Sequence, residues 1–368
     1  MKVGILTLPF NPNYGGILQG YALQTAIERL GHEAYHINRA SRFCLPFYLR
    51  PIAYAKRLVE QKVQGKNKRI LFEEYQNAIA VNTNRFVEQH LHLWRDGMVN
   101  SVLPTDFDAL VVGSDQVWRR EFWPHINDAF LGFAEGWPVK RVAYAASFGT
   151  DRWAYSQRES QSCGTLLSHF NGVSVRESSA IALCREHLGC DAVQMPDPTL
   201  LLQRQDYDSL TALGGLPAKK SASLFVYLLN KNSHSDTIIN AVAHHSGLTP
   251  HSIVATDDIH LPVSECVRPG VETWLRGFAE SSMVLTNSFH GCIFSIIFGK
   301  PFVVVGKRVA GLTRIQSLLD LFGFEGTYID EDANHLEDIP VMQTDTPQVT
   351  ARLEELRNKG YDFLSQNL

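Results

Sequence analysis

The segment MVLTNSFHGCIFSIIF, at residues 283–298, decides the fold class of this chain. Its apolar start at 283–285 is typical of a buried strand, a short polar turn follows, and the apolar run at 292–298 is typical of a buried helix. His290 therefore stands where a helix begins, beside backbone N–H groups that can bind an anion. An imidazole there can also exchange a proton near neutral pH, although a histidine satisfied within the protein interior is the plain alternative.

Strand-like and helix-like segments take turns along the rest of the chain. The predicted strands lie at 2–8, 34–37, 108–112, 139–147, 172–176, 223–229, 252–255, 283–287 and 302–305. The predicted helices lie at 16–30, 236–247, 271–279, 292–298 and 314–321. This alternation indicates an α/β protein with two doubly wound, Rossmann-like parallel sheets. Polar loops follow four of the strands, and because ligands bind beyond the carboxyl ends of such strands, we expect a cleft between the two domains.

The domain limits follow from the same pattern. We expect an N-terminal domain at 1–200 with a basic helical insertion at 39–95, a C-terminal domain at 201–345, and a mainly exposed C-terminal helix within 346–368. Two closely spaced prolines at 196–198 suit an extended crossing between the domains.

Composition excludes several classes of protein. The chain has 368 residues and a net charge of −4, which argues against a general nucleic-acid binder. No apolar run approaches the roughly 18 residues that a membrane span needs, and the apolar start is too short for a signal peptide, so a cytoplasmic protein is expected. Six scattered cysteines without a C-x-x-C pair predict reduced thiols, and we expect neither a metal nor a cofactor.

The segment 39–69 differs from the rest, with nine basic residues against the single acid Glu60 and with apolar side chains interleaved. Such a segment can be a solvated helical excursion. It can also be a surface that binds anionic lipid headgroups or a polyanionic substrate. Binding to lipid would place the protein peripherally at the inner face of the membrane.

Two loops carry polar groups suited to a ligand. Asn13-Tyr14-Gly15-Gly16 follows the first strand, and its glycines allow close approach of backbone to an anion, although paired glycines also make ordinary turns. The dinucleotide fingerprint G-x-G-x-x-G and the P-loop motif are both absent.

The second loop is Gly113-Ser114-Asp115-Gln116-Val117-Trp118. Its acid, amide and indole can hydrogen-bond to a sugar or phosphosugar and stack on it. The alternative is a helix N-cap formed by Ser114 or Asp115.

Cationic side chains follow two further strands. Arg176 ends one strand, and its guanidinium suits a carboxylate or phosphate, unless it forms a salt bridge within the protein. Lys307 and Arg308 follow the strand at 302–305. Together with His290, these cations would converge on one small polyanion.

Five segments, in this order, strongly resemble the motifs of the polysaccharide pyruvyltransferase family, and the resemblance extends from about residue 2 to residue 325. They are Asn13-Tyr14-Gly15-Gly16-x-x-Gln19-x-Tyr21-Ala22-Leu23-Gln24, Gly113-Ser114-Asp115-Gln116-Val117-Trp118, Ser174-Val175-Arg176-Glu177, Asp197-Pro198-Thr199-Leu200 and Asn287-Ser288-Phe289-His290-Gly291. The resemblance implies a fold like that of GT-B glycosyltransferases, with the active site in the cleft. It also implies phosphoenolpyruvate as donor and a sugar of a cell-surface glycan, or its lipid-linked precursor, as acceptor. Transfer forms a pyruvate ketal and releases phosphate.

The resemblance also implies roles for residues. His290 corresponds to the general acid and Arg176 to an arginine that binds the donor. Further donor-binding candidates are Ser288, Gly291, Lys307 and Arg308. Candidates for binding the acceptor or another ligand are Asn13, Tyr14, Gly15, Gly16, Gln19, Ser114, Asp115, Gln116 and Trp118.

One departure from the family pattern concerns the residue two before His290. Better-studied members have Arg-Leu-His where this chain has Ser288-Phe289-His290, so one guanidinium is missing. Either the missing charge comes from elsewhere, for which Arg308 and Arg314 are candidates, or the donor differs from that of the better-studied members.

Two other functions stay open from the sequence. One is a GT-B glycosyltransferase that uses a nucleotide sugar, and the other is a protein that binds phosphosugars without turnover. A homo-oligomer is compatible with either function.

Overall fold

The structure of the protein is a computed structural model. It describes residues 1–10, 12–37, 51–52, 54–56, 58–59, 72–94, 102–212, 222–229, 231–253, 261–307, 312–324, 328–333, 336 and 338–368. Most of the basic segment 39–69 lies outside the described residues, and so does its predicted membrane contact. Among the described helices, none combines the length and the apolarity that crossing a bilayer would require.

Six parallel strands form the first sheet, in the order β2-β1-β3-β4-β5-β6. The strands are β1 (Lys2–Leu6), β2 (Glu33–Ile37), β3 (Ala109–Val112), β4 (Lys140–Ala146), β5 (Gly172–Val175) and β6 (Val193–Gln194). The chain runs outward from β1 to one edge and then from β3 to the other. The loops after β1 and β3 therefore flank the switch point at which ligands bind in such sheets.

Five parallel strands form the second sheet, in the order β11-β10-β9-β7-β8. The strands are β7 (Ser223–Tyr227), β8 (Thr249–His251), β9 (Met283–Thr286), β10 (Phe302–Gly306) and β11 (Ile329–Asp330). The strand predicted at 252–255 lies earlier, at β8, where an edge position tolerates Pro250. The predicted α/β architecture with two parallel sheets is confirmed, whereas the exact domain limits remain a prediction.

Helices cover both sheets. They are α1 (Tyr14–Arg29), α2 (Phe72–Ile79), α3 (Val81–His90), α4 (Gln157–Leu167), α5 (Ser179–Leu188), α6 (Arg204–Ala212), α7 (Ser235–Ser246), α8 (Val271–Glu280), α9 (Phe289–Ile297), α10 (Leu312–Leu321) and α11 (Pro347–Asn367). Helices α1, α8 and α9 share one apolar cluster, in which Tyr14 stacks on Trp274 with ring centroids 5.2 Å apart. The Tyr14 hydroxyl also donates to the carbonyl of Pro269 at 3.0 Å. The start of α1 is therefore fixed against the second domain.

The segment 283–298 forms β9 and α9. β9 is the central strand of its sheet, and Val284 and Leu285 are fully buried because both faces of the sheet are covered. Helix α9 begins at Phe289, three residues before the predicted start, because the Ser288 side chain accepts a hydrogen bond from the N–H of Gly291 and caps it. His290 is therefore the second residue of the helix.

The C-terminal helix predicted within 346–368 is present as α11, and most of its residues are at least partly exposed, although one face is buried. Helix α11 continues to Asn367, and its side chains Val349, Leu356 and Phe363 are buried. These residues are spaced by seven, so they lie on one face of the helix. The end of that face packs with Tyr144 of β4 and with Leu201.

A buried histidine in β2 makes stability depend on pH. Burial lowers the pKa of His36 to about 3, and its ring packs edge-on against Phe10 with centroids 5.1 Å apart. The folded protein keeps His36 neutral, whereas the unfolded chain binds a proton below pH ~6.5. His36 should therefore remove about 1.4 kcal/mol of unfolding free energy per pH unit as the pH falls from ~6.5 towards 3.

Urea unfolding at pH 6 and pH 4.5 tests this expectation. His36→Phe should flatten the fall in unfolding free energy, whereas the exposed control variant His125→Gln should follow the wild type. An equal fall in the wild type and His36→Phe would show that other groups cause the acid sensitivity.

Candidate active site

Asp197 lies at the centre of a buried polar cluster that joins the two domains. Its Oδ2 accepts a hydrogen bond from Arg176 Nη1 at 2.8 Å and lies 3.6 Å from His290 Nε2. Its Oδ1 accepts from the backbone N–H and the hydroxyl of Thr199, at 3.1 and 2.7 Å. Arg176 follows β5 of the first sheet and His290 follows β9 of the second. One carboxylate therefore brings together an imidazole and a guanidinium from opposite domains.

Charge keeps this carboxylate ionised. Burial alone would raise the pKa of Asp197, but His290 and Arg176 outweigh burial and hold that pKa well below its usual range. Burial would likewise lower the pKa of Arg176, but Asp197, Asp115 and Glu177 raise it instead. Asp197 is therefore an anion that a protonated His290 can pair with.

His290 fits its site because residue 15 has no side chain. Only 9% of the His290 side chain is exposed, and a Cβ atom added at Gly15 would lie 2.0 Å from Nδ1. With Nε2 towards Asp197, the other nitrogen, Nδ1, faces the start of α1. The predicted loop glycine thus packs directly on the predicted general acid.

Arg176 is enclosed rather than open to solvent. Its side chain is 2% exposed, its Nη2 lies 3.4 Å from Asp115 Oδ1, and its Cζ lies 4.4 Å from the centre of the Phe289 ring. Two carboxylates thus compensate its charge. Arg176 is held within the protein as the salt-bridge alternative anticipated, while its role towards a donor stays a prediction.

The loops after β1 and β3 meet at the switch point. Gln19 accepts from the N–H of Ser114 at 2.9 Å and donates to Thr7 Oγ1 at 2.9 Å and to the carbonyl of Gly16 at 3.0 Å. The Ser114 hydroxyl donates to the carbonyl of Ala145 at 2.9 Å. Gln19 and Ser114 therefore hold the two loops together through hydrogen bonds, and both side chains are buried.

Two other residues of these loops, Asn13 and Asp115, lie near Gly16 at the start of α1. The Asn13 side chain caps α1 by accepting from the N–H of Gly16 at 3.4 Å. Asp115 adopts a left-handed backbone conformation with φ of 57°, and its Oδ2 would lie 3.6 Å from a Cβ at Gly16. The sequence therefore placed the two loops together correctly.

Trp118 does not offer a surface for a sugar, so this part of the prediction is wrong. Its indole is fully buried, stacks on Phe130 with centroids 4.9 Å apart and donates from Nε1 to the carbonyl of Ala129 at 3.1 Å. The neighbouring Gln116 accepts from Arg119 Nη1 at 2.9 Å. The short helical turns that follow Trp118 cover its indole, which therefore packs in the core of the first domain.

The other predicted donor-binding residues have no contact with Asp197 among those described for this cluster. Lys307 Nζ lies 2.8 Å from Asp332 Oδ2 and 3.8 Å from Glu331 Oε1, on a side chain that is 47% exposed. Arg308 lies outside the described residues. A Cβ at Gly291 would lie 2.1 Å from Thr286 Oγ1, so this glycine allows the helix to start close to β9.

Two acids that organise the site were missing from the predicted site residues. One is Asp197, which the sequence offered only as part of the Asp-Pro-Thr-Leu segment after β6. The other is Glu177, whose Oε1 accepts from Ser147 Oγ and from the N–H groups of Phe148 and Gly149, at 3.0, 2.9 and 3.2 Å. The signal for Glu177 is an acid next to the predicted cation Arg176, directly after β5. The signal for Asp197 is weaker, an acid between two prolines three residues after β6.

Comparison with solved structures finds distant likenesses. A functionally uncharacterised protein of Klebsiella pneumoniae is 15% identical, with a TM-score of 0.41 over 70% of this chain and 88% of that one. The UDP-GlcNAc 2-epimerase of Neisseria meningitidis is 10% identical, with a TM-score of 0.47 over 100% and 94%. An Escherichia coli heptosyltransferase solved with ADP is 10% identical, with a TM-score of 0.40 over 98% and 100%. Comparison with curated proteins finds no match.

Comparison with family models gives a direct result. The model described as polysaccharide pyruvyl transferase matches residues 13–306, which include both loops of the switch point, Arg176, Asp197 and His290. This match spans well over half of the chain and agrees with the family that the motifs resemble. The chain belongs to the polysaccharide pyruvyl transferase family.

Proposed function

We propose that this protein transfers a pyruvyl group from phosphoenolpyruvate to a sugar of a cell-surface polysaccharide or its precursor, with His290 as general acid. The observation that carries the proposal is the contact of His290 with Asp197 across the two domains, at 3.6 Å. The anionic carboxylate can pair with the imidazolium form of a general acid, and the Nδ1 nitrogen of His290 faces Gly15 at the start of α1.

The proposed reaction begins with the transfer of a proton from the His290 imidazolium to the donor. His290 gives a proton to the methylene carbon of phosphoenolpyruvate, and the enol carbon becomes electrophilic. A sugar hydroxyl attacks that carbon, and its proton restores the imidazolium of His290. The bond from the carbon to the phosphate oxygen then breaks, and a second hydroxyl of the same sugar takes the place of phosphate on the carbon. The proton of this second hydroxyl leaves with the phosphate, and the ketal is closed. Nearby cations stabilise the negative charge on the departing phosphate.

A polar cleft between the two domains suits the acceptor. It has a volume of about 700 Å³ and opens between α3 and α8. The residues that line it are Asn82, Arg85, Gln89, His90, Pro269, Gly270, Glu272 and Thr273. Tyr14 links the cleft to the site, because its hydroxyl donates to Pro269 and it directly precedes Gly15. Amide, guanidinium and carboxylate groups are those that recognise sugar hydroxyls.

Incubation with phosphoenolpyruvate and a panel of glycan precursors tests the proposal. We expect phosphate release that depends on the acceptor, and a product heavier than the acceptor by the mass of a pyruvyl ketal. Nucleotide release from a nucleotide sugar would instead identify a glycosyltransferase. Saturable binding of phosphoenolpyruvate with no product from any acceptor would contradict transfer.

The two adjacent glycines of α1 provide a matched pair of variants. Gly15→Ala should lower kcat/KM by at least ~10-fold, because its Cβ would lie 2.0 Å from His290 Nδ1 and must displace the ring. Gly16→Ala should lose much less activity than Gly15→Ala, since its Cβ would meet its nearest neighbour, Asp115 Oδ2, at an ordinary 3.6 Å. Equal activities of the two variants would contradict a role for the tight contact between Gly15 and His290.

A further inference from the structure

Arg314 approaches the candidate active site from α10. Its Cζ lies 5.9 Å from the centre of the Phe289 ring, to which Arg176 also points at 4.4 Å. The Arg314 side chain is only partly exposed, and its Nε is enclosed with no acceptor among the described residues. The two arginines thus share one aromatic neighbour at the start of α9.

The acids near Arg314 form no ion pair with it, although Glu177 Oε2 is buried without a hydrogen-bond partner among the described residues. Asp197 binds Arg176 and faces His290, Asp115 also pairs with Arg176, and one oxygen of Glu177 accepts three hydrogen bonds. Among the described residues, Arg314 therefore has no ion pair of its own. Burial, and then repulsion by Arg176, lower the pKa of Arg314, and attraction by Asp115 and Glu177 offsets only part of this effect. An enclosed cation without a counter-ion is costly, and an anion from a ligand would compensate it.

The backbone at the start of α9 has N–H groups that can bind an anion. The first hydrogen bond within α9 runs from the N–H of Cys292 to the carbonyl of Ser288 at 3.0 Å, and the Ser288 hydroxyl occupies the N–H of Gly291. The N–H groups of Phe289 and His290 precede that first bond and stand at the positive end of the helix. Arg314 meets this helix start through the ring of Phe289, the first residue of α9.

We infer that Arg314 is the cation that binds the phosphate of the donor at the start of α9. The identification of that phosphate as part of phosphoenolpyruvate rests on the proposed function. The inference itself requires only a small phosphorylated or carboxylated ligand. In contrast to Arg176, whose charge two carboxylates already compensate, Arg314 is available to a ligand.

Calorimetric titration with inorganic phosphate and with phosphoenolpyruvate tests the inference. Arg314→Gln should weaken binding of both by at least ~10-fold, and Arg314→Lys should recover part of the loss, because a lysine keeps the charge but not the planar fork. Arg352→Gln is the control. Arg352 donates to the carbonyl of Leu321 at the end of α10 and pairs with Glu355, so its loss should leave both affinities unchanged.

Thermal unfolding separates binding from folding. Arg314→Gln should keep the Tm of the wild type or raise it, because it removes a charge without a partner in the protein. Wild-type affinity for both anions in Arg314→Gln would overturn the inference, and so would a wild type that binds neither. Binding of inorganic phosphate that depends on Arg314, without turnover of phosphoenolpyruvate, would support the inference and contradict only the proposed function.

Discussion

Replacement of His290 by glutamine is expected to lower kcat/KM for pyruvyl transfer by ~100- to 10,000-fold, the range that a positioned general acid contributes. Glutamine keeps a polar group of similar size beside Asp197 but cannot deliver a proton to the donor. The loss should therefore appear mainly in kcat, while phosphoenolpyruvate binds with nearly unchanged affinity. Steady-state phosphate release and direct titration of the donor measure the two effects separately.

The control for His290→Gln is the same substitution at an exposed histidine. His125→Gln changes a surface side chain of the first domain and should transfer at the wild-type rate. Near-normal transfer by His290→Gln would refute its role as the acid. A loss confined to KM would assign His290 to donor binding instead.

Local pattern was enough to predict much of the fold and part of the site. Alternating strands and helices gave two parallel sheets, and the position of His290 after β9 placed it at a helix start. Arg176 ends β5 at the same edge of its sheet as the loops after β1 and β3. Because the carboxyl ends of parallel strands share an edge, their residues could be expected to meet.

Contacts between distant segments could not be predicted in this way. Asp197 became the centre of the site only because the chain after β6 passes between Arg176 and His290, and no periodicity records that path. Trp118 looked available for stacking because the turns that bury it, around Ala129 and Phe130, have no regular apolar pattern. The buried face of helix α11 was not recognised because it is narrow and because its partners, such as Tyr144, are distant in the sequence.

Asp197→Asn is expected to damage both folding and catalysis. The carboxylate is fully buried and binds Arg176 at 2.8 Å, so the asparagine variant leaves a buried guanidinium without its closest anion. Removing one partner of a buried ion pair typically costs ~3–5 kcal/mol of unfolding free energy. The control Asp191→Asn breaks the exposed pair with Arg185, and such pairs contribute only ~0–1 kcal/mol.

The effect of Asp197→Asn on stability should depend on pH. Because the pKa of Asp197 in the fold lies well below its usual range, its contribution is complete above the unfolded pKa of ~3.9 and declines as the pH falls further. The difference in unfolding free energy between wild type and variant should thus be constant from pH 7 to 5 and shrink below pH ~4. Urea unfolding across this range measures it, and a difference that does not change at acid pH would contradict an ionised Asp197.

Catalysis offers a second test of Asp197, through its coupling to His290. Residues that act as a unit are not additive, so once His290 is lost the carboxylate has no imidazolium left to stabilise. The double variant Asp197→Asn with His290→Gln should transfer no more slowly than His290→Gln alone, when rates are compared at a temperature where both are folded. Additive losses would mean that Asp197 assists transfer through Arg176 and the donor rather than through His290. The same cycle therefore decides which of the two contacts of this carboxylate, at 2.8 Å or at 3.6 Å, matters for the chemical step.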